Sequence, residues 1–340
     1  MQNQVIIPRI LDGHVHWRKG SLRYNVVPHT VRCCGGAIIM PNTEPPILTD
    51  QDLVTDLGLI SNILKVQGAK HFTPYLTIQI TSDTTSNTIL KARLAGAIGG
   101  KVYPEGVTNS EYGLSSFRDR KTVNVFHAMQ EVGMPLLVHG EYKVVGNNDI
   151  NREYHFLPTL YWLTDAFPDL KIVLEHVSTR IGVETVRKLG ENVGATITPM
   201  HLIWTYRDIN NSDRRIRPLP SSIIDRDALI EAATSGCPNF FAGSDSAPHS
   251  KPRDGIQTKW GSFSAPVFAA VVAREFAKVG KLDRLGDFMS RFGPAFYGLE
   301  PSKENITLIK QDWVVPSIIG TVVPLCAGET LPWKLLQSET

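Results

Sequence analysis

The chain has 340 residues, a net charge of +2 and 20% charged residues, so its bulk charge does not indicate a nucleic acid or a membrane surface as a partner. Its hydrophobic fraction of 42% is ordinary for a globular protein, and its length suits a single α/β barrel domain over residues 1–340. The four cysteines lack the spacing of a zinc knuckle, and no signal peptide or membrane span is visible, which predicts reduced thiols and a cytoplasmic location.

The first predicted strand leads directly into a pair of histidines. The apolar run "VIIPRIL" is followed by "DGHVHWR", residues 12–18. Side chains alternate between the two faces of a strand, so His14 and His16 point the same way and Arg18 follows on that face. Two imidazoles on one face at a strand end can bind a metal ion. The simpler interpretation is a strand end with two half-exposed histidines.

Short apolar runs that end in polar residues recur along the chain, and plausible helices lie between them. The runs cover residues 5–16, 36–42, 72–79, 97–104, 135–141, 171–178, 195–201 and 240–249. Helices are expected at 50–66, 118–132, 157–167, 179–190, 225–235, 265–280 and 282–297. Eight strand–helix units predict an α/β fold, a (β/α)8 TIM barrel with an irregular C-terminal extension at about 301–340. A doubly wound open sheet is the alternative, but no GxGxxG motif follows the first strand.

Polar side chains stand at the predicted carboxyl ends of these strands, and in a barrel all of these ends face one mouth. They are His14, His16, Arg18, Asn42, Lys101, His139, Glu141, Glu175, His176, His201, Asp245 and His249. A single histidine at such a place is more often a hydrogen-bonded rim residue than a ligand. Six histidines and an aspartate that converge on one mouth predict a metal site instead.

The number of candidate ligands raises the question of how many ions they bind. Four histidines and an aspartate are too many for one catalytic ion, and they are few for two unless a further group bridges them. Lys101 follows a strand-like run and projects into the same mouth, where an ammonium group beside two cations is electrostatically untenable. Carbamylation by carbon dioxide would convert its amine into an anionic bridge. Alternatively, Lys101 is displaced and binds substrate rather than metal.

A series of motifs runs in order from residue 12 to residue 333, and together they are specific. They are "DGHVHWR", "IIMPN", "KVYP" with "TNS" shortly after, "GMPLLVHGE", "LEHVST", "ATITPMHL", "GSDSAPH", "FYGL" and "CAGETLPW". On these residues the chain resembles the dihydroorotases of the amidohydrolase superfamily, specifically the free-standing bacterial type. The resemblance implies reversible cyclisation of N-carbamoyl-L-aspartate to L-dihydroorotate in pyrimidine biosynthesis, two Zn²⁺ ions per subunit and a homodimer.

The resemblance also implies a role for individual residues. The first ion would be held by His14, His16 and Asp245 and the second by His139 and His176, with carboxylated Lys101 as the bridge. Asp245 would also act as general base and then as general acid. The substrate-binding residues would be Arg18, Asn42, Thr108, His249 and the backbone near Ala265. We expect Glu141, Glu175 and His201 to support these groups rather than to react.

Two stretches depart from the family pattern, and two alternative functions stay open. "KVYPEGVTNS" offers only Thr108 and is one residue short, and between His201 and Asp245 only "IRPLPSS" is partly recognisable. A hydantoinase- or allantoinase-like enzyme would share the metals but need no clamp for a carboxylate. A non-catalytic dihydroorotase-like subunit should have lost metal ligands, and all six are present here.

Overall fold

A computed structural model of the chain describes residues 3–107, 112–143, 152–209, 215–250 and 260–336. Its first strand, β1 (Gln4–Pro8), belongs to a small sheet, and the next eight strands run parallel in chain order. These eight are β2 (Ile10–Val15), β3 (Cys34–Ile39), β4 (Thr73–Ile80), β5 (Gly99–Val102), β6 (Leu136–His139), β7 (Ile172–Glu175), β8 (Val193–Ile197) and β9 (Phe240–Ala242). Each predicted apolar run overlaps one of them, and the predicted TIM barrel is confirmed.

Helices follow the strands and cover the outside of the barrel. They are α1 (Ser21–Val31), α2 (Asp50–Val66), α3 (Ser86–Leu94), α4 (Arg120–Glu131), α5 (Arg152–Ala166), α6 (Arg180–Leu189), α7 (Pro199–Ile203), α8 (Ile223–Thr234), α9 (Phe268–Lys278) and α10 (Phe292–Tyr297). Short 3₁₀ turns lie at Tyr206–Asp208 and Leu282–Arg284, and a π-helical turn lies at Asp287–Arg291. Within the described part of the chain, no helix has both the length and the apolar character needed to cross a bilayer.

Helix α2 matches its predicted range from end to end, and a capping box fixes its start in the structure. The Thr49 side chain accepts a hydrogen bond from the N–H of Asp52, and the Asp52 carboxylate accepts one from the N–H of Thr49. This capping box satisfies two backbone groups that would otherwise lack a partner. Helix α1 was not expected, since it contains Pro28 and several β-branched residues, which weaken the helical pattern.

The barrel closes where β2 meets β9. The backbone N–H of Asp245 donates to the carbonyl oxygen of His14 at 2.8 Å. A Cβ atom on Gly13 would lie 2.7 Å from the carbonyl oxygen of Ala242, so only glycine allows this approach. The closing contact therefore lies at the strand ends that carry two of the predicted metal ligands.

An apolar cluster fills the barrel interior one layer below the polar strand ends. Leu137 and Val173 precede His139 and Glu175 by two residues, so each pair faces the same way. The cluster comprises Leu11, Ile38, Met40, Ile98, Leu137, Val173, Phe241, Phe296 and Tyr297. This layer of buried apolar side chains packs beneath the polar residues at the mouth of the barrel.

The two ends of the chain differ from expectation, because they pair with each other in a second sheet. Strand β1 pairs antiparallel with β10 (Asn305–Val314), which pairs with β11 (Thr330–Leu335). The predicted run 5–16 is thus two strands, since the chain changes sheets at Arg9. The tail predicted as irregular holds two strands, and within β10 the buried Ile306 and Leu308 show the alternation of a half-buried strand.

Candidate metal centre and active site

Three predicted ligands form a buried metal site at the closing contact of the barrel. The Nε2 atoms of His14 and His16 lie 3.1 Å apart. The Oδ1 atom of Asp245 lies 3.6 Å from His14 Nε2 and 3.2 Å from His16 Nε2. All three residues are buried, and their ligand atoms lie within 4.8 Å of one another. Two imidazole nitrogens and one carboxylate oxygen are a donor set that suits zinc.

The other two predicted histidine ligands lie next to this group. The ring centres of His14 and His176 are 5.1 Å apart, and those of His139 and His176 are 4.6 Å apart. The Nδ1 atom of His176 is buried and has no hydrogen-bond partner among the residues that the structure describes. An imidazole nitrogen in this position needs a ligand to replace the water it has lost.

Lys101 is a fully buried lysine at the mouth of the barrel. It has 0% exposure, and its Nζ atom forms no hydrogen bond to any residue in the described ranges. The same atom lies 5.2 Å from the centre of the Tyr103 ring. Burial lowers the pKa of Lys101 to about 8, and the charges of Glu175 and Asp245 oppose this change. A fraction of the amine is therefore neutral and nucleophilic near neutral pH.

Hydrogen bonds on the far side of three histidines fix which ring nitrogen faces the centre. His14 Nδ1 lies 2.7 Å from Glu175 Oε2, and His16 Nδ1 lies 2.6 Å from Asn42 Oδ1. His139 instead uses Nε2, which lies 2.7 Å from Glu141 Oε2. Such outer contacts orient an imidazole and select its tautomer. They leave Nε2 of His14 and His16, and Nδ1 of His139, for a metal.

Burial and mutual charge keep the histidines neutral, which is the state that binds metal. Burial lowers the pKa of His14 and of His176 well below the ordinary value, and the charges of Lys101 and the neighbouring histidines add to the effect. Burial alone would raise the pKa of Asp245, but the hydrogen bond from His16 and the surrounding imidazoles outweigh it, so that pKa is lowered. Asp245 is therefore ionised.

Two of the candidate ligands have left-handed backbone conformations, which are rare for residues other than glycine. His176 has a φ of 44° and Asp245 a φ of 42°. The N–H of His176 donates to Thr196 Oγ1 at 2.7 Å, and the N–H of Asp245 is held by the His14 carbonyl. Strained backbone that the surroundings hold in place is typical of functional sites.

A cavity of about 470 Å³ opens above these ligands. Arg18 lies on its wall, and its Nη2 atom is 3.1 Å from Nε2 of His249. This contact joins the segment after β2 to the segment after β9, and the same His249 nitrogen lies 2.9 Å from the carbonyl oxygen of Trp260. The cavity is lined by His14, His16, Arg18, Asn42, Thr43, Glu44, Pro45, Pro46, Gln79, Tyr103, Tyr112, His139, His176, Arg217, Asp245, Ala247, His249, Trp260 and Gly261.

No family model matches the chain, but known proteins match it over almost its whole length. A dihydroorotase of Vibrio cholerae is 40% identical over 341 residues, which cover 97% of the chain and 98% of that protein. A dihydroorotase of Marinobacter nauticus is 38% identical over 351 residues, which cover 98% of the chain and 100% of that protein. The chain belongs to the dihydroorotase family.

A solved dihydroorotase structure is similar in three dimensions as well. The enzyme of Saccharomyces cerevisiae, crystallised with 5-fluoroorotic acid, matches with a TM-score of 0.89 at 31% identity. The match covers 98% of the chain and 99% of that enzyme. The family predicted from the motifs is therefore confirmed.

Several predicted residues of this dihydroorotase lie away from the cavity wall or outside the described residues. Thr108 falls outside the described ranges. Ala265 is buried, is not part of the cavity lining, and its N–H donates to Ser246 Oγ at 3.2 Å. His201 is also buried, and its two ring nitrogens contact Thr198 Oγ1 at 2.8 Å and the Pro218 carbonyl at 3.1 Å.

Some cavity residues were not singled out from the sequence. Tyr103, Arg217 and Trp260 line the cavity, and the Arg217 guanidinium lies 4.2 Å from the centre of the Trp260 ring. Burial raises the pKa of Tyr103 well above its usual range, and the charge of Arg18 opposes this change. A sequence signal existed for Tyr103, because it follows Lys101 by two residues, the spacing that places side chains on one side of an extended segment. No such signal exists for Trp260.

Proposed function

We propose that the protein catalyses the reversible cyclisation of N-carbamoyl-L-aspartate to L-dihydroorotate in pyrimidine biosynthesis. The observation that carries this proposal is the His14, His16 and Asp245 metal site in the same cavity as the Arg18 guanidinium. A metal site can activate a cyclic amide, and a guanidinium is the best side-chain donor for a carboxylate. A relative holds 5-fluoroorotic acid, a carboxylated pyrimidine, which is the chemical class that this cavity suits.

The residues at the mouth fit two zinc ions. His14, His16 and Asp245 would hold one ion, and His139 and His176 would hold the other. The buried Nζ of Lys101 is the group that most needs a change of charge there. Carbamylation forms a bond between Nζ and the carbon of CO₂ and releases one proton from the amine. The product is an anionic carbamate whose oxygens would serve as ligands for the two ions.

When bound, the zinc ions supply Lewis-acid activation of water and of the substrate carbonyl. The residues of the chain then handle protons and position. In ring opening, Asp245 accepts a proton from the attacking water and delivers it to the ring nitrogen as the carbon–nitrogen bond breaks. In ring closure the same proton moves in the opposite direction. The ionised state of Asp245 is the state that a general base requires.

The substrate carboxylate would bind to a set of donors that we call the carboxylate clamp, comprising Arg18, Asn42 and His249. Arg18 offers two parallel N–H groups that match the two oxygens of a carboxylate. Its contact with His249 keeps the guanidinium on the cavity wall. Thr108 and the backbone near Ala265 remain predicted contributors. Homodimer formation and a cytoplasmic location, both expected from the resemblance, also remain predictions.

The two alternatives differ from this proposal in what they need from the cavity. A hydantoinase- or allantoinase-like enzyme would have no use for the carboxylate clamp. A non-catalytic subunit would have no use for the metal ligands, whereas those on the described residues lie together and are buried.

The decisive experiment is an assay of the zinc-loaded protein with three ring substrates. We expect turnover of L-dihydroorotate in both directions, with hydantoin and allantoin turned over far more slowly. Elemental analysis of the same preparation should give two zinc ions per chain. Preferred turnover of hydantoin or allantoin would support the first alternative, and no turnover at full metal content would support the second.

A further inference from the structure

Tyr103 lies beside the proposed metal ligands in the cavity that Arg18 also lines. Its ring centre is 5.9 Å from that of His139, and Lys101 Nζ lies 5.2 Å from the ring centre. Tyr103 follows β5 and is only 2% exposed, so its position is fixed by packing. None of the roles proposed above uses this side chain.

The hydroxyl group of Tyr103 is buried and forms no hydrogen bond with any residue that the structure describes. A buried hydroxyl without a partner is unfavourable, and in native proteins such groups often mark a place where a ligand binds. A phenol is protonated at neutral pH and therefore donates. Arg18 lines the same cavity, and its guanidinium can only donate hydrogen bonds. A carboxylate bound in this cavity would offer acceptor oxygens to both groups.

We infer that the Tyr103 hydroxyl donates a hydrogen bond to the substrate carboxylate alongside Arg18, which makes Tyr103 a specificity-determining residue. This inference rests on the proposed function, since it takes the carboxylate to be bound by the clamp. A carboxylate has enough lone pairs to accept from the guanidinium and the phenol together. The hydroxyl would thus gain a partner only when a carboxylated substrate is bound.

The test compares Tyr103→Phe with Tyr297→Phe, both in the full chain loaded with zinc. Tyr297 is a matched control because its hydroxyl is also buried and without a hydrogen bond to a described residue, but it lies outside the cavity lining. Each change removes one oxygen atom and keeps the ring. Steady-state kinetics with L-dihydroorotate give KM and kcat, and calorimetry with orotate, a carboxylated pyrimidine, gives a dissociation constant.

We expect Tyr103→Phe to raise KM for L-dihydroorotate and Kd for orotate by about 10- to 100-fold, the range for a hydrogen bond to a charged group. kcat should change by less than about threefold, because this bond is made equally in the ground state and the transition state. Zinc content and Tm should stay at the wild-type values, and Tyr297→Phe should match the wild type in KM and Kd.

Three results would overturn the inference. In the first, KM and Kd of Tyr103→Phe stay within about threefold of wild type. In the second, kcat falls while KM stays the same, which places the hydroxyl at the reacting carbonyl. In the third, zinc content or Tm falls, which indicates a structural role. A wild-type protein that does not turn over L-dihydroorotate would instead contradict the proposed function itself.

Discussion

The carbonyl oxygen of His14 accepts a hydrogen bond from the backbone N–H of Asp245, 231 positions later in the chain, at 2.8 Å. Because the side chains of both residues belong to the His-His-Asp site, a bound ion would link the first and last strands of the barrel. Metal binding and closure of the barrel are therefore expected to depend on each other.

Removal of the metal should lower the stability of the whole domain. A ligand that binds only the folded state at 100 times its Kd contributes about 2.7 kcal/mol, so Tm should drop by several degrees after dialysis against a chelator. Differential scanning calorimetry before and after readdition of zinc measures this effect. An unchanged Tm in metal-free protein would show that closure does not depend on the ion.

Replacement of Lys101 by alanine should remove the bridge and weaken at least one ion, because two uncompensated cations at short range repel strongly. We expect less than two zinc ions per chain and loss of most of the activity. Lys171→Ala is the control, since Lys171 Nζ donates to the Phe296 carbonyl, away from the mouth. Added short-chain carboxylic acids should restore part of the rate of Lys101→Ala. Normal zinc content and rate in Lys101→Ala would show that Lys101 does not bridge the two ions.

Replacement of Asp245 by asparagine should abolish proton transfer in both directions of the reaction. General acid–base catalysis contributes about 10²- to 10⁴-fold, and kcat should fall by at least that range. Asp283→Asn, an exposed change, serves as the control. Zinc must be measured in parallel, because Asp245 is also a ligand. Near-wild-type rates in either direction would refute the assignment of the base.

Replacement of Arg18 by lysine should reduce the selectivity for a carboxylated ring, because lysine cannot offer two parallel donors. A loss of ~2–3 kcal/mol corresponds to a fall in kcat/KM for L-dihydroorotate of roughly 30- to 150-fold. The preference over dihydrouracil should shrink by the same factor while zinc content stays constant. Arg9→Lys, at a residue paired with Glu304 in the terminal sheet region, is the matched control. An intact preference in Arg18→Lys would place the carboxylate elsewhere.

Glu153 should give the protein a measurable dependence of stability on pH. This buried residue of α5 accepts hydrogen bonds from the backbone and the hydroxyl groups of Ser178 and Thr179. Burial raises its pKa from 4.5 to about 7, although these hydrogen bonds oppose the change. The folded state therefore binds this proton more tightly than the unfolded state, so the stabilisation is present below pH 4.5 and is lost as pH rises to about 7.

For this change in the pKa of Glu153, the loss of unfolding free energy between pH 4.5 and pH 7 is at most about 3 kcal/mol. Glu153→Gln should remove this contribution to the change of the unfolding free energy with pH, even if it also shifts the unfolding free energy at every pH. Urea unfolding between pH 5 and pH 8 measures the slope for both proteins, with Glu304→Gln as an exposed control. Equal slopes in wild type and Glu153→Gln would show that Glu153 is ionised throughout the range.

Much of the fold followed from local pattern. The apolar runs located all eight barrel strands, and the helix predicted at 50–66 has the same bounds in the structure. The strand at β10 was not predicted, because its pairing with β1 joins positions about 300 residues apart and depends on no local signal. The break at Arg9 was hidden for the same reason, since both halves of the run 5–16 are apolar and only the partner strands differ.

At the site, the sequence by itself determined which side chains could bind metal, because strand ends and period-two spacing depend only on neighbouring residues. Tertiary structure decided how those side chains are used. His14 turns Nε2 to the centre because Glu175, 161 residues away, holds Nδ1. Closure of the eight strands into one barrel buries Lys101 Nζ without a hydrogen-bond partner on any described residue. It also places Tyr103 and Arg18 in the lining of one cavity. Burial and contacts between distant segments exist only in the folded chain, and they set the charge and orientation of each group.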